Sequence, residues 1–160
     1  MILDSQPGAT RTVWISSSRD DGATWEKPRE ITAQVKRPDW TWYATGPGNG
    51  IQLRSGRLVI PCDHYRAGTR ARHSHLIYSD DRGATWKIGA VAEEKTNESA
   101  VVELSDGALL FNMRSYHGRN RRAIAHSRDG GLNLSALALD EALLEPVCQA
   151  SLVRHSRGRK

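Results

Sequence analysis

The aspartates of two nearly identical stretches are the first residues that could perform acid–base chemistry. SRDDGATW spans residues 18–25 and SDDRGATW spans residues 79–86. A carboxylate placed beside a substrate can transfer protons. The shared pattern S-x-D-x-G-x-T-W also suits a tight hairpin, because aspartate accepts hydrogen bonds from nearby backbone N–H groups and glycine tolerates a positive φ. We therefore expect Asp20 and Asp81 to hold turns closed, with the final tryptophan of each copy packing the turn onto the strands below.

A third and weaker copy of the pattern, SRDGGLNL, spans residues 127–134, where Asn133 and Leu134 replace the threonine and the tryptophan. The loss of the aromatic residue predicts that this turn is held less firmly. The copies begin at residues 18, 79 and 127, and each follows a run rich in β-forming residues. A repeat of roughly 40–50 residues with several strands in each is typical of the blades of a β-propeller.

Short runs typical of β-strands fill the chain between the copies. They are TVWISS, GIQL, RLVIPC, HLIYS, SAVVEL, ALLFNMRS and AIAHS, each rich in β-branched or large apolar side chains. RSG at 54–56 and SDG at 105–107 predict tight hairpin turns. LSALALDEALLE, residues 134–145, has a composition that suits either a helix or a loop. The sequence therefore predicts an all-β fold.

Length and composition limit the class of protein. The 160 residues suffice for one ordinary domain, and 38% hydrophobic with 26% charged residues argues against a disordered or membrane-spanning chain. MILDSQPGATRT, at the start, lacks the basic and apolar segments of a signal peptide, so we expect a cytoplasmic protein or a piece of a longer secreted one. Cys62 and Cys148 are too few for a disulfide framework and are expected to be small buried residues.

The net charge of +5 is spread over clusters of basic residues. These are Arg66, Arg70 and Arg72, then Arg119, Arg121 and Arg122, then the final RHSRGRK. Such a balance suits an acidic partner, including a nucleic acid. No aromatic residues alternate with these arginines as a base-stacking surface requires, so we expect solvated loops and no nucleic-acid partner.

The repeated stretches resemble the Asp-box, or bacterial neuraminidase repeat, of the sialidase family. Two segments between the boxes are also similar to that family, WYATGPGNGIQLRSGRLVIPCDHY at 42–65 and NESAVVELSDGALLFNMRS at 97–115, as is LLEPVCQASLV at 143–153, after the third box. The resemblance implies a six-bladed β-propeller whose boxes lie on outer hairpins, away from the active site. It also implies that residues 1–160 form one partial propeller domain with about three of the six blades.

The resemblance implies roles for two residues of the 97–115 segment. The family binds the carboxylate of sialic acid with three arginines, since a guanidinium donates two parallel hydrogen bonds to such a group, and Arg114 matches the second. Glu98 matches the glutamate that acts as the base for a tyrosine nucleophile. A neutral phenol serves there because the substrate carboxylate would repel a carboxylate nucleophile. One predicted hairpin separates Glu98 from Arg114, so we expect both at the same end of a blade.

Residues of the 42–65 segment complete the implied site. Asp63 and Tyr65, in PCDHY, match positions that contact the glycerol tail of the sugar, where polar donors and acceptors are suitable. Tyr43, Thr45 and the glycines of GPGNG at 46–50 are candidates to line the same cleft, although the glycines equally suit a close approach of backbone.

Four of the family's site residues have no match in this sequence: the first and third arginines, the acid/base aspartate and the nucleophilic tyrosine. Tyr116 lies close to Arg114 but not in the sequence context of the nucleophile. The sequence therefore predicts a truncated exo-α-sialidase, a retaining glycosidase by resemblance, that is inactive as an isolated chain. The alternative is a non-catalytic Asp-box propeller that binds glycans or acts as a scaffold.

The expected partners are sialylated glycans, on oligosaccharides, glycoproteins or gangliosides, with no membrane contact. His64 and His75 lack the spacing of metal ligands, so neither a metal nor another cofactor is expected.

Overall fold

The computed structural model describes residues 11–155, which form three antiparallel β-sheets and a four-residue helix. In chain order the elements are β1 (Trp14–Ile15), β2 (Arg29–Glu30), α1 (Thr32–Val35), β3 (Trp40–Thr45), β4 (Ile51–Gln52), β5 (Leu58–Arg66), β6 (Arg72–Ser79), β7 (Lys87–Glu94), β8 (Thr96–Glu103), β9 (Leu109–Ser115), β10 (Arg121–Ser127) and β11 (Ala138–Leu144). The predicted all-β fold is confirmed, and α1 is the departure from it. No helix in this part of the chain is long and apolar enough to cross a membrane.

Each sheet is a simple meander. The first sheet pairs β1 with β2, the second has the order β3-β5-β6-β7 with β4 also paired to β5, and the third has the order β8-β9-β10-β11. The predicted turns at 54–56 and 105–107 are present, and their glycines, Gly56 and Gly107, have φ of +92° and +87°. Neighbouring strands are thus joined by local hairpins, as the sequence indicates.

The three repeated stretches form the hairpin between the last two strands of each sheet. In the second copy the Thr85 backbone N–H and hydroxyl donate to the two oxygens of Asp81 at 2.8 and 2.6 Å. Hydrogen bonds of the same kind lower the pKa of Asp81 and Asp20 to about 2. The aspartates are therefore ionised turn acceptors, which confirms their structural role and leaves them no proton to donate.

The third hairpin is bonded in the same way as the first two. Asn133 takes the place of the threonine, and its backbone and side-chain N–H groups donate to Asp129 at 3.0 and 2.8 Å. Leu134 packs partly buried against the adjoining apolar core. The expectation that this turn is held less firmly is therefore wrong for its hydrogen bonds.

The segment 134–145 is neither a helix nor a simple loop, because β11 spans Ala138–Leu144 within it. Its pairing with β10 is irregular, with Ile124 opposite Ala138 and Arg121 opposite Leu144. The structure corrects the prediction because this strand gains its hydrogen bonds from the neighbouring strand and not from a local residue pattern.

Two apolar cores join the sheets. In the first core, Val13, next to β1, and Val35, in α1, pack against the second sheet. Their partners there are Ile77 of β6 and Trp86, the residue before β7. The other core packs the second sheet against the third; its buried residues are Leu53, Val59, Leu76, Ala92, Val101, Leu109, Phe111, Met113, Ala123 and Ala125. These cores hold each sheet face to face with the next and so determine which strand ends meet.

Of the two cysteines, Cys62 is buried as expected. Cys148 is exposed, which corrects its predicted burial.

Candidate active site

Glu98 and Arg114 face each other at one end of the third sheet. Arg114 Nη1 donates a 2.7 Å hydrogen bond to Glu98 Oε2, and both side chains are partly exposed. Glu98 lies in β8 and Arg114 in β9, two strands joined by the hairpin at 105–107. The structure therefore brings together the two residues of the 97–115 segment that the family resemblance singled out.

A shift in strand register places this pair. β8 and β9 pair regularly from Glu103 opposite Leu109 to Ser99 opposite Met113, and the register then shifts before Thr96 opposite Ser115. The irregularity falls at Glu98, where a departure from the regular pleat re-aims the side chain. The Glu98 carboxylate thereby reaches the guanidinium of Arg114 at the end of the neighbouring strand.

Asp63 lies beside this pair but is almost completely buried, at 1% exposure. Its Oδ1 accepts hydrogen bonds from Trp42 Nε1 at 3.1 Å and from Asn97 Nδ2 at 2.7 Å. The pKa of Asp63 is raised to about 6, because burial and, to a smaller extent, the negative charge of Glu98 outweigh the opposing effect of the two hydrogen bonds. The carboxyl group is thus a buried acceptor that joins the second sheet to the start of β8.

Tyr65 belongs to a series of aromatic rings and guanidinium groups along the rim of the site. Its ring stacks on Trp42 with centroids 5.5 Å apart. The Arg72 guanidinium lies 5.3 Å from the Tyr65 ring and 4.4 Å from the Tyr116 ring. The Arg114 guanidinium lies 5.0 Å from the Tyr116 ring. Each such contact is a favourable cation–π pair.

Sequence reasoning missed several members of this rim: Trp42, Arg72, Asn97 and Tyr116. Arg72 could have been found, because it pairs directly with Tyr65 across a hairpin of the second sheet. Burial raises the pKa of Tyr116, and the nearby Arg114 and Arg72 lower it less. Burial therefore disfavours the phenolate form of Tyr116.

Other sequence candidates lie outside the site. Tyr43 is buried in the core beside Trp40 and His75 and does not line the cleft. At Gly46 a Cβ would come within 2.9 Å of the Ser99 carbonyl oxygen, so this glycine serves close backbone approach. Thr45 is exposed at the end of β3.

The two histidines are packed residues of the second sheet. His64 and His75 are fully buried, with their Nδ1 atoms 3.0 Å apart. His64 also stacks on Trp40 with centroids 3.6 Å apart. Burial lowers the pKa of His64 to about 3 and that of His75 well below its ordinary value. Across residues 11–155 no three His, Cys, Asp or Glu side chains are grouped to hold a metal ion.

A groove of about 470 Å³ lies apart from the pair, between the β3–β4 connection, β8 and the segment after β11. Its lining includes Pro47, Ala100 and Leu152 but none of the four predicted site residues. The partly exposed Glu98–Arg114 pair therefore lies outside this groove.

These features define an antiparallel β protein with Asp-box hairpins and a carboxylate–guanidinium pair at a strand end. The chain belongs to the family of BNR repeat-like domains, whose family model matches residues 4–158. It is 38% identical over 154 residues to a sialidase of Bacteroides fragilis, covering 93% of this chain and 28% of that protein. It is 34% identical over 158 residues to an exo-alpha-sialidase of Aspergillus fumigatus, covering 96% of this chain and 35% of that one.

Solved structures give the same result. A Hadza microbial sialidase superimposes with a TM-score of 0.78 at 36% identity, covering 90% of this chain and 28% of that chain. The intramolecular trans-sialidase from Ruminococcus gnavus, solved in complex with oseltamivir carboxylate, superimposes with a TM-score of 0.73 at 26% identity, covering 85% and 28%. The resemblance to sialidases is thereby confirmed, with a fold of the propeller type. The chain spans roughly a third of the length of the relatives that it matches.

Proposed function

We propose that this chain supplies part of the active centre of an exo-α-sialidase, a glycoside hydrolase that releases terminal sialic acid from glycoconjugates. The observation that carries the proposal is the 2.7 Å contact between Arg114 and Glu98 on an accessible surface. Its substrates would be sialylated oligosaccharides, glycoproteins or gangliosides. Residues 1–160 would form one partial propeller domain, with about three of six blades.

In this proposal Arg114 binds the carboxylate of the sugar. Among the described residues its guanidinium donates to Glu98 through Nη1, and no acceptor contacts Nη2. A free N–H edge beside a partly open surface suits a planar carboxylate, because a guanidinium can donate two parallel hydrogen bonds. The ring of Tyr116 on one face of Arg114 limits how far the guanidinium can swing.

Glu98 acts as the base that takes the proton of a tyrosine nucleophile. A glutamate carboxylate is a suitable proton acceptor, and Arg114 Nη1 holds Glu98 Oε2 in position at 2.7 Å. Asp63 and Tyr65 would contact the glycerol tail of the sugar, with Asp63 offering its second oxygen, Oδ2, which has no hydrogen-bond partner within residues 11–155.

We infer that the 160-residue chain alone does not turn over substrate. The described residues place no tyrosine hydroxyl in hydrogen-bond contact with Glu98, whose carboxylate accepts instead from Arg114. The nucleophile, the acid/base aspartate and further arginines would come from the rest of a longer protein. Binding of the sugar carboxylate would survive in the isolated chain, in a weakened form, because Arg114 is in place.

Two measurements on the purified chain test this function. Saturation-transfer NMR with sialyllactose should show contact of the sialic acid protons, and Arg114→Met should abolish it while Arg128→Met, an exposed arginine at the third hairpin, should not. Contact that persists in Arg114→Met, or that is equal for lactose, would favour a general glycan-binding module. Release of a fluorogenic phenol from a sialoside, lost in Glu98→Gln, would contradict the proposed inactivity of the isolated chain.

A further inference from the structure

Arg72 is a half-buried arginine at the rim of the candidate site, and its charge has no partner among the described residues. It begins β6, directly opposite Tyr65 of β5. Within residues 11–155 its side chain forms neither an ion pair nor a hydrogen bond, and its Nε is buried without an acceptor. Removing a charged group from water is costly unless the group is paired and hydrogen-bonded. Arg72 thus holds N–H donors that the described chain leaves unsatisfied.

Three other arginines that are partly or fully buried form ion pairs with a carboxylate. Arg57 and Arg114 are partly buried and Arg122 is fully buried. Each places a nitrogen 2.6–2.7 Å from a carboxylate oxygen. Their charges are thereby compensated within the fold. Arg72 departs from this arrangement, and it does so beside the candidate active site.

Two tyrosine rings hold the Arg72 guanidinium in place. Its central carbon lies 5.3 Å from the Tyr65 ring centroid and 4.4 Å from the Tyr116 ring centroid. Cation–π attraction of this kind restrains a long side chain but gives its N–H groups no hydrogen-bond acceptor. Tyr65 belongs to the second sheet and Tyr116 follows β9 of the third, so described residues form both walls of the crevice around Arg72.

The backbone also fixes Arg72 relative to Tyr116. Lys95, between β7 and β8, donates its N–H to the Arg72 carbonyl oxygen at 2.9 Å, and its own carbonyl oxygen accepts from the Tyr116 N–H at 2.9 Å. Lys95 has a φ of +70°, in the left-handed region that residues other than glycine seldom enter. Such conformations persist where the surrounding structure holds them, and they are common at ligand sites. The Arg72–Tyr116 contact is therefore in place before any ligand binds.

Arg72 and Arg114 contact the same ring, since the Arg114 guanidinium lies 5.0 Å from the Tyr116 centroid. Glu98 compensates the charge of Arg114 at 2.7 Å, whereas no described residue compensates that of Arg72. Arg72 is partly exposed, so an acceptor can reach it from solvent. A guanidinium suits an oxyanion there, because it donates parallel hydrogen bonds to two oxygen atoms of one group.

We propose that Arg72 forms a subsite for an oxyanion, such as a sulfate or carboxylate group, beside the Glu98–Arg114 pair. A sugar held by Arg114 through its own carboxylate would place a second acidic group there. Because Tyr65 is the proposed contact of the glycerol tail, the chain would prefer sialic acids that carry a sulfate ester on that tail. This sugar preference rests on the proposed function, whereas binding of a free oxyanion at Arg72 does not.

NMR of the Arg72 Nε–Hε group tests the subsite with inorganic sulfate as the probe. Chloride keeps the ionic strength constant during the titration, because salt screens exposed charges. The Arg72 resonance should shift and reach saturation, while that of Arg128, an exposed arginine at the third hairpin, should not. No saturable shift at Arg72, or an equal shift at Arg128, would overturn the proposal.

Two variants assign the resonance and separate binding from a purely structural role. Arg72→Met removes the charge, and Arg72→Lys keeps the charge but not the planar set of donors. The resonance should disappear in both, so either variant that folds by circular dichroism assigns it. If sulfate fails to shift Arg72 while Arg72→Met unfolds more easily, the residue only joins the second and third sheets.

A pair of methyl sialosides, one with a sulfate ester on the glycerol tail and one without, identifies the source of the oxyanion. The sulfated sialoside should bind at least about tenfold more tightly, since a hydrogen bond to a charged group is gained. Arg72→Met should remove this difference, whereas Arg114→Met should weaken both ligands. Equal affinities with a saturable sulfate shift at Arg72 would assign the subsite to a free anion. Failure of both sialosides to bind would contradict the proposed function and leave the sulfate result as the test of the subsite.

Discussion

Asn97 and Asp63 are joined across the boundary between the second and third sheets, with Asn97 Nδ2 donating to Asp63 Oδ1 at 2.7 Å. Ser74, also in the second sheet, donates through its hydroxyl to the Asn97 carbonyl oxygen. The residue before Glu98 is thus held at both its side chain and its backbone by the neighbouring sheet. The position of Glu98 therefore depends on how the two sheets pack, as well as on its own strand.

Asp63→Asn should stabilise the protein at neutral pH. The pKa of Asp63 is raised by burial to about 6, above its ordinary value of 3.8. The unfolded state therefore releases this proton at a lower pH than the folded state does. The stability that Asp63 contributes below about pH 4 is consequently lost as the pH rises through 6. Asparagine can still accept both hydrogen bonds and carries no charge, so we expect a gain on the order of 2–3 kcal/mol at pH 7.5.

Urea unfolding of both chains at pH 7.5 and pH 4 measures this difference. The gain should nearly vanish at pH 4, where Asp63 is protonated in the folded state. Asp39→Asn serves as the control, because Asp39 lies at the surface beside Arg66. An equal gain at both pH values would show that the effect is not the titration of Asp63.

The buried histidines should make the fold sensitive to acid. Burial lowers the pKa of His64 to about 3 from 6.5, so its contribution to stability is complete above pH 6.5 and is lost as the pH falls towards 3. We expect the unmutated chain to lose about 2 kcal/mol from this group between pH 7 and pH 5. His64→Phe keeps the stacking on Trp40 and cannot be protonated, so its acid limb should be shallower.

Asp63 changes stability with pH in the opposite direction to His64. Because Asp63 is present in both chains, its contribution cancels when His64→Phe is compared with the unmutated chain. His126, which is exposed, provides the matched replacement, and His126→Phe should leave the pH dependence unchanged. Parallel stability curves for His64→Phe and the unmutated chain would contradict a buried neutral His64.

Breaking the buried ion pair at the end of β9 should strongly destabilise the protein. Glu145 accepts from the Ser115 backbone N–H at 2.7 Å and from Arg122 Nη1 at 2.6 Å, and both charged residues are buried. Glu145→Gln would leave the Arg122 cation buried without a counter-charge, which costs about 3–5 kcal/mol. The Ser115 amide, next to Arg114, should also exchange hydrogen faster.

Thermal unfolding and amide exchange measure the two effects. The control is Glu141→Gln, because Glu141 is exposed and lies 3.5 Å from Arg121 in a surface pair. Such pairs contribute little, so the melting temperature should stay unchanged. If Glu145→Gln and Glu141→Gln lowered the melting temperature by similar amounts, burial of the Glu145–Arg122 pair would not be the reason for the loss.

The hairpins were predictable from sequence because their bonds are local. Asp81 binds Ser79 and Thr85, all within one eight-residue stretch, so the residue types alone indicate the turn. β11 was not predictable in this way, since residues 138–144 lack a clear alternation and form a strand by pairing with β10. Local chemistry determined the turns, and tertiary pairing determined the last strand.

The same distinction between local sequence and tertiary packing applies to the candidate site. Glu98 and Arg114 could be chosen because the 97–115 segment resembles one family segment as a whole. The contact between Arg72 and Tyr116 could not be predicted, because it arises where the second and third sheets pack together. The burial of Asp63 likewise depends on Asn97 of the adjacent sheet, and no spacing within one segment encodes it.

Trp86 and Trp25 should differ sharply in their contribution to stability although they end the same motif. Trp86 is 4% exposed within the first core, so Trp86→Ala should cost about 3–5 kcal/mol through lost burial and the cavity left behind. Trp25 is 66% exposed, so Trp25→Ala should change the free energy of unfolding by no more than about 0.5 kcal/mol in dilute, monomeric protein. Urea unfolding monitored by circular dichroism compares the two variants. Equal losses would mean that Trp25 is buried in solution, which would contradict its exposure in the structure.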